Sequence, residues 1–100
     1  GEIVTIAPPR TIADGARTLA IGARNFAIIR ERVADIATVD DDELLESLRF
    51  IMSRTKLVIE PTGALALTAV LRRRIPLGKR VAVIVSGGNL DFSLLCKAPS

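Results

Sequence analysis

Val81-Ala82-Val83-Ile84-Val85-Ser86-Gly87-Gly88-Asn89, VAVIVSGGN, is the stretch on which the reading of this chain turns. Five apolar residues stand in a row, three of them Val and one Ile, and the run stops abruptly at Ser86. Such a run reads as a strand buried on both faces, the pattern of a parallel sheet covered by helices. A new apolar pattern (Leu90, Phe92, Leu94, Leu95) follows at once, so the order is strand, glycine turn, helix. In open α/β sheets, ligands sit at the carboxyl ends of the strands. Gly87 and Gly88 would let backbone approach a ligand there, and the following helix would offer it free N–H groups. A hydroxyl at Ser86 would stand on the rim. Many α/β proteins turn through Gly-Gly without binding anything, so the rest of the chain has to decide.

One hundred residues suffice for a single small domain with one core. The apolar share is 49%, with only three Phe and neither Trp nor Tyr, and the mean hydropathy is +0.39. That is more aliphatic surface than so small an interior hides, which implies packing against more polypeptide, a twin subunit, or both. The longest apolar stretch, 57–71, is interrupted by Glu60 and Pro61, so no membrane helix is expected. No secretory signal pattern opens the chain. A lone Cys96 cannot form an internal disulfide, which agrees with a reducing cytoplasm as the expected location. With no His and one Cys, no metal site is expected in this chain. The net charge is +3, and its clusters are Arg72-Arg73-Arg74 and Lys79-Arg80, set against Asp40-Asp41-Asp42-Glu43. The arginines close one expected helix and the acids open another, where the helix dipole favours each sign. Without interleaved aromatics, solvated helix ends are preferred to a nucleic-acid surface.

Residues 1–6 alternate weakly and suit a short strand or an entry segment. Pro8-Pro9 then stiffens the approach to Thr11-Ile12-Ala13-Asp14-Gly15. Gly15 suits an ordinary Asp-Gly turn or a close approach to a flat ligand. Phe26, Ile29 and Val33 predict an amphipathic helix over about 24–33. ADIATV, 34–39, alternates with period two and predicts a short strand. Asp40 and Glu43 stand at capping-box spacing before a helix that runs to about Lys56, with the stripe Leu44, Leu48, Ile51, Met52 and Thr55. Pro61 suits a helix start, and residues 64–71, apolar on every side, predict a helix buried all round. Glu60 is the anomaly between the aliphatics of 57–59 and that start: it either meets helix N–H groups or faces a cleft.

Four pieces in this order, TIADG (11–15), DIATVDDDEL (35–44), RTKLVIEPTGA (54–64) and GKRVAVIVSGGN (78–89), resemble the pyridoxal-phosphate-dependent threonine/serine dehydratases and serine racemases of fold-type II. The resemblance covers nearly the whole chain. It implies an α/β fold, with this chain forming part of the larger three-layer parallel-sheet domain, at the C-terminal end of the catalytic part and without a regulatory domain. It implies pyridoxal phosphate as cofactor, with Ser86 at its pyridine nitrogen, Gly15 against one ring face, and Glu60 and Gly87 beside the ring and cleft. Asp14 falls on the substrate side. Lys56 and Asn89 match positions where racemase-like members bind a nucleotide. The family's Schiff-base lysine, glycine-rich phosphate cradle and divalent-cation carboxylates precede this region, and none of Lys56, Lys79 or Lys97 sits in the lysine motif. No catalytic residue is therefore assigned here, and the chain alone is expected to be inactive.

The implied partners are the remainder of the same enzyme, a second copy in a homo-oligomer, and a small amino-acid substrate. The implied reaction is loss of water from a hydroxy amino acid, giving a 2-oxo acid and ammonia. The alternatives are a serine racemase-type enzyme and a non-catalytic α/β interaction domain that would dimerise through its aliphatic surface.

Overall fold

In the computed structural model, which describes residues 1–98, three α-helices form, and two of them, with the loops around them, build one small apolar core. They are α1 (Ala23–Arg32), α2 (Asp41–Thr55) and α3 (Leu65–Leu71), with 3-10 turns at Asp14–Ala16, Thr62–Ala64 and Phe92–Cys96.

The second helix carries the fold. Its Asp40 cap accepts the Glu43 N–H at 2.9 Å, and Glu43 Oε2 accepts the Asp40 N–H at 3.2 Å, so two orphan donors are satisfied reciprocally. Asp41, Asp42 and Glu43 place negative charge in the first turn, where the helix dipole favours it. At the other end Lys56 takes a left-handed conformation (φ 63°) and its N–H closes on the Met52 carbonyl. Leu44 and Leu48, one turn apart on the expected stripe, are fully buried, and Leu45 joins them. Ile51 and Met52 pack at the edge of this core, whereas Thr55 is exposed and donates to the Ile51 carbonyl. Asp40→Ala is expected to cost about 1 kcal/mol of stability, read as a lower midpoint of chemical unfolding in the enzyme that carries this chain.

Ala13, Ile59, Ala64 and Leu90 complete the core. Each comes from a different loop or turn, so the core is also the point where those segments are tied together. Thr68 of α3 is fully buried and donates to the Ala64 carbonyl at 2.8 Å, so its own hydroxyl is paired inside the core. The arginine triplet is not simply a solvated helix end. Arg72 pairs with Glu46 and lies 3.8 Å from Glu43, and Arg74 reaches Glu43 at 2.6 Å, so the basic end of α3 is stitched to the acidic face of α2. Arg49 donates to the Leu95 carbonyl at 2.9 Å and to that of Lys97, holding the last turn against α2. That turn opens on Asp91, whose carboxylate accepts the Ser93 N–H at 2.9 Å. The bonds from Ser93, backbone and then side chain, with a smaller contribution from Lys97, lower the Asp91 pKa from its ordinary 3.8. A lowered folded-state value means that this contribution to stability is present above 3.8 and is lost as pH falls through the lowered value.

Several expectations are corrected. The segment 81–85, expected as a strand buried on both faces, forms no strand ladder; Val81 is 47% and Ile84 82% exposed, and only Val83 and Val85 are half-buried. The expected strand ADIATV at 34–39 is likewise without a ladder, as is 1–6, which is joined to the chain by an Ile6 N–H bond to Leu19. The physical reason is common to all three: a strand is fixed by a neighbour that shares its N–H and C=O groups, and no such neighbour lies among the described residues. Instead 35–39 and 81–84 both face α3 across an apolar hollow of about 620 Å³.

The helix expected to be buried all round is α3, yet Ala66 and Leu71 are exposed. The helix expected after the glycine turn is a short 3-10 segment, and Pro99 and Ser100, within the stretch where it was expected to continue, lie outside the described residues. The amphipathic helix α1 forms as expected, but its apolar face has no buried residue. A radius of gyration of 14.6 Å, against about 13 Å for a compact chain of this length, fits so many uncovered aliphatics.

Candidate functional site: a cleft rim built on the turn after Glu60

Ile59 is buried and anchors the segment that delivers Glu60. Pro61 has helical angles (φ −55°, ψ −44°), and its carbonyl accepts the Ala64 N–H at 3.0 Å, so the chain turns sharply through Thr62 and Gly63. This turn is the hub of the site. Gly63 lies directly on the backbone of Ser86: a Cβ built on Gly63 would stand 1.7 Å from the Ser86 carbonyl oxygen. Gly87 has φ +72°, and a Cβ there would meet the Glu60 carboxylate carbon at 2.1 Å. Gly15 donates its N–H to Thr62 Oγ1 at 3.0 Å. The turn therefore gathers the TIADG loop on one side and the SGG turn on the other.

Ser86, Gly87, Asp14 and Gly15 are exposed and Glu60 is half-buried, so together they form an open rim. Asp14 caps its own loop, its Oδ1 accepting the Gly15 N–H at 2.8 Å. A Cβ built on Gly88 would stand 3.6 Å from the Val58 carbonyl oxygen, so the glycine turn runs beside the segment leading to Glu60. Of the residues expected at the site, Ser86, Gly15, Glu60, Gly87 and Asp14 are brought together. Lys56 and Asn89 are not joined by a hydrogen bond among the described residues. Lys56 is engaged by its own helix, donating to the Ser53 carbonyl, and Asn89 is exposed. No group of three or more His, Cys, Asp or Glu that could hold a metal is assembled among the described residues. Nor is any helix there long and apolar enough to cross a membrane.

Four structural supports were not singled out from sequence as parts of the site. Thr62 supplies the acceptor for Gly15, and Gly63 supplies the space for Ser86. Asp41 grips the other end of the loop: its carboxylate accepts from Thr11 Oγ1 at 2.5 Å and from the Ile12 N–H at 3.1 Å. Arg17 adds a bond to the Thr11 carbonyl at 3.0 Å. Thr62 and Gly63 were visible within the EPTG motif, but nothing local marked Asp41 as more than a first-turn acid.

The family model described as "Pyridoxal-phosphate dependent enzyme" matches residues 1–87. The chain belongs to the pyridoxal-phosphate-dependent enzymes. Within that family it is 54% identical over 94 residues to an L-threo-3-hydroxyaspartate ammonia-lyase of Pseudomonas sp, covering 92% of this chain and 29% of the relative. It is 49% identical over 93 residues to the serine racemase of Schizosaccharomyces pombe, again covering 92% and 29%. Among solved structures, the T.th. threonine deaminase superposes with a TM-score of 0.86 at 54% identity, over 92% of this chain and 33% of that one. The chain thus spans about three tenths of the curated relatives it matches. These relatives are fold-type II members, and their likeness is consistent with an α/β fold; they include both ammonia-lyases and racemases.

The arrangement suits a flat cofactor. Backbone is presented at Gly15, Gly87 and Gly88, and the one short hydroxyl among the exposed rim residues is that of Ser86. At Gly87 the room a side chain would need is already taken by Glu60.

Proposed function

We propose that this chain supplies one wall of the cofactor cleft in an ammonia-lyase that removes water from a hydroxy amino acid. The observation that carries the reading is the meeting of Ser86, Gly15, Glu60 and Gly87 around the single turn at Thr62-Gly63. Pyridoxal phosphate, when bound, supplies an electron-withdrawing ring that makes the α-proton of an amino acid easier to remove.

The roles of this chain follow from its chemistry. Ser86 offers a neutral hydroxyl to the pyridine nitrogen, which holds the ring in place without stabilising a positive charge on it as a carboxylate would. A hydroxyl rather than a carboxylate at that position would leave the cofactor a weaker electron sink and so favour expulsion of a β-hydroxyl. Gly15 would cover one ring face, Glu60 would border the cleft beside Gly87, and Asp14 would stand toward the substrate. Lys56 and Asn89 are assigned to a nucleotide only in the racemase alternative. The lysine that links the cofactor, and any divalent-cation ligands, belong to the rest of the enzyme, and the chain takes its place at the C-terminal end of the catalytic part. Residues 34–39 and 81–85 are the strands of the parallel sheet once that remainder supplies their hydrogen-bonding neighbours. The enzyme is expected to work as a homo-oligomer in the cytoplasm.

The test uses the enzyme that carries this chain, incubated with L-serine, L-threonine and L-threo-3-hydroxyaspartate. Release of 2-oxo acid and ammonia supports the lyase reading. Accumulation of the D-enantiomer without 2-oxo acid replaces it with the racemase reading, and neither product from any of the three removes both. Ser86→Ala is expected to lower turnover roughly tenfold at an unchanged melting temperature; wild-type turnover in that variant would strip Ser86 of its role.

A further inference from the structure

We propose that Thr62 is a positioning residue, whose hydroxyl fixes the backbone of Gly15 and so sets the face of the cleft on which the cofactor ring lies. The proposal rests on the reading that Gly15 covers that ring. The TIADG loop is held at its beginning by strong means: Asp41 takes both the Thr11 hydroxyl and the Ile12 N–H, Arg17 takes the Thr11 carbonyl, and Ala13 is buried in the core. Past Ala13 the loop emerges into solvent, and Asp14, Gly15 and Ala16 are all exposed.

Two acceptors share the Gly15 N–H there. The bond to Asp14 Oδ1, at 2.8 Å, is to the preceding residue and travels with the loop, so it fixes nothing relative to the cleft. The bond to Thr62 Oγ1, at 3.0 Å, joins residues 47 apart in sequence and ties Gly15 to the hub turn. The contact is also close: a Cβ on Gly15 would stand 3.0 Å from Thr62 Oγ1 and 3.1 Å from its methyl. Thr62 is itself held by the 3-10 turn on which Ser86 rests through Gly63. The hydroxyl therefore sets the spacing between the glycine that covers the ring and the serine at the ring nitrogen.

Two substitutions separate the hydrogen bond from the packing. Thr62→Val keeps the shape and removes the acceptor, whereas Thr62→Ser keeps the acceptor and removes the methyl. In the apoenzyme, backbone hydrogen exchange over 13–17 is expected to quicken several-fold in Thr62→Val and to stay near wild type in Thr62→Ser. On titration with pyridoxal phosphate, Thr62→Val is expected to bind about tenfold more weakly and to turn over more slowly, with both properties restored in Thr62→Ser. The melting temperature of the apoenzyme should barely move, because the core end of the loop is held by other groups. Equal losses in the two variants would mean packing alone and would overturn the proposal. So would unchanged cofactor affinity in Thr62→Val, whatever the exchange shows. If Ser86→Ala impairs turnover while Thr62→Val is silent, only this proposal falls. If both are silent in an enzyme that takes up the cofactor, the reading of the rim falls with it.

Discussion

Gly63→Ala is expected to lower both the stability and the turnover of the enzyme, since among the glycines it is the one whose added Cβ would meet the closest atom. The new Cβ would stand 1.7 Å from the Ser86 carbonyl oxygen, 2.7 Å from its carbonyl carbon and 3.1 Å from its nitrogen. All three are backbone atoms, so no rotamer relieves the clash, and the hub turn and the SGG turn have to part. Overpacking of this kind costs roughly 1–3 kcal/mol in stability. The functional loss should be larger, because displacing positioning groups by about 1 Å lowers rates on the order of a hundredfold. Turnover and melting temperature of the variant enzyme measure the two effects separately. Wild-type turnover in Gly63→Ala would mean that the turn does not set the place of Ser86.

Gly87→Ala should act by a different route. Its φ of +72° is left-handed, a region that costs an L-residue roughly 1–2 kcal/mol. The new Cβ would also meet Glu60 at its Cδ (2.1 Å), Oε2 (2.2 Å) and Cγ (2.5 Å). Unlike the Ser86 backbone, a glutamate side chain can swing away, so the contact is relieved by moving the carboxylate off the rim. Activity is therefore expected to fall further than stability does. In a double-mutant cycle with Glu60→Ala, the stability losses should be non-additive by about 1 kcal/mol, since the second substitution removes the obstacle the first creates. Gly87→Asn separates the strain from the contact, because Asn tolerates left-handed angles while still carrying a Cβ. Strictly additive losses would mean that Glu60 and Gly87 do not touch in the folded enzyme.

What was legible in the sequence depended on how local its cause was. The capping box at Asp40 and Glu43 and the stripe Leu44–Leu48 are settled within one or two turns of chain, and α2 formed within a residue of its expected limits. The grouping of Ser86, Gly15, Glu60 and Gly87 followed from motif resemblance, and the structure assembles it around one turn. The strands expected at 34–39 and 81–85 depend on neighbours elsewhere. An aliphatic run such as VAVIV declares only that it wants cover, and here Ile84 is left 82% exposed. The arginine triplet stands exposed at the end of α3, where the sequence places it, but only the packing of α3 on α2 brings Glu43 and Glu46 within reach of Arg72 and Arg74. Thr62 and Asp41 act across 47 and 30 residues of sequence, distances over which no pattern in one sequence speaks.

Asp41 serves two structures with one side chain. The carboxylate that favours the opening of α2 is the same one that ties down Thr11 and Ile12. Anyone grafting this loop onto another scaffold would have to carry the start of the helix along with it. Within the native protein, neither the length of that connection nor the pitch of the helix entry can drift unless the other adjusts in step.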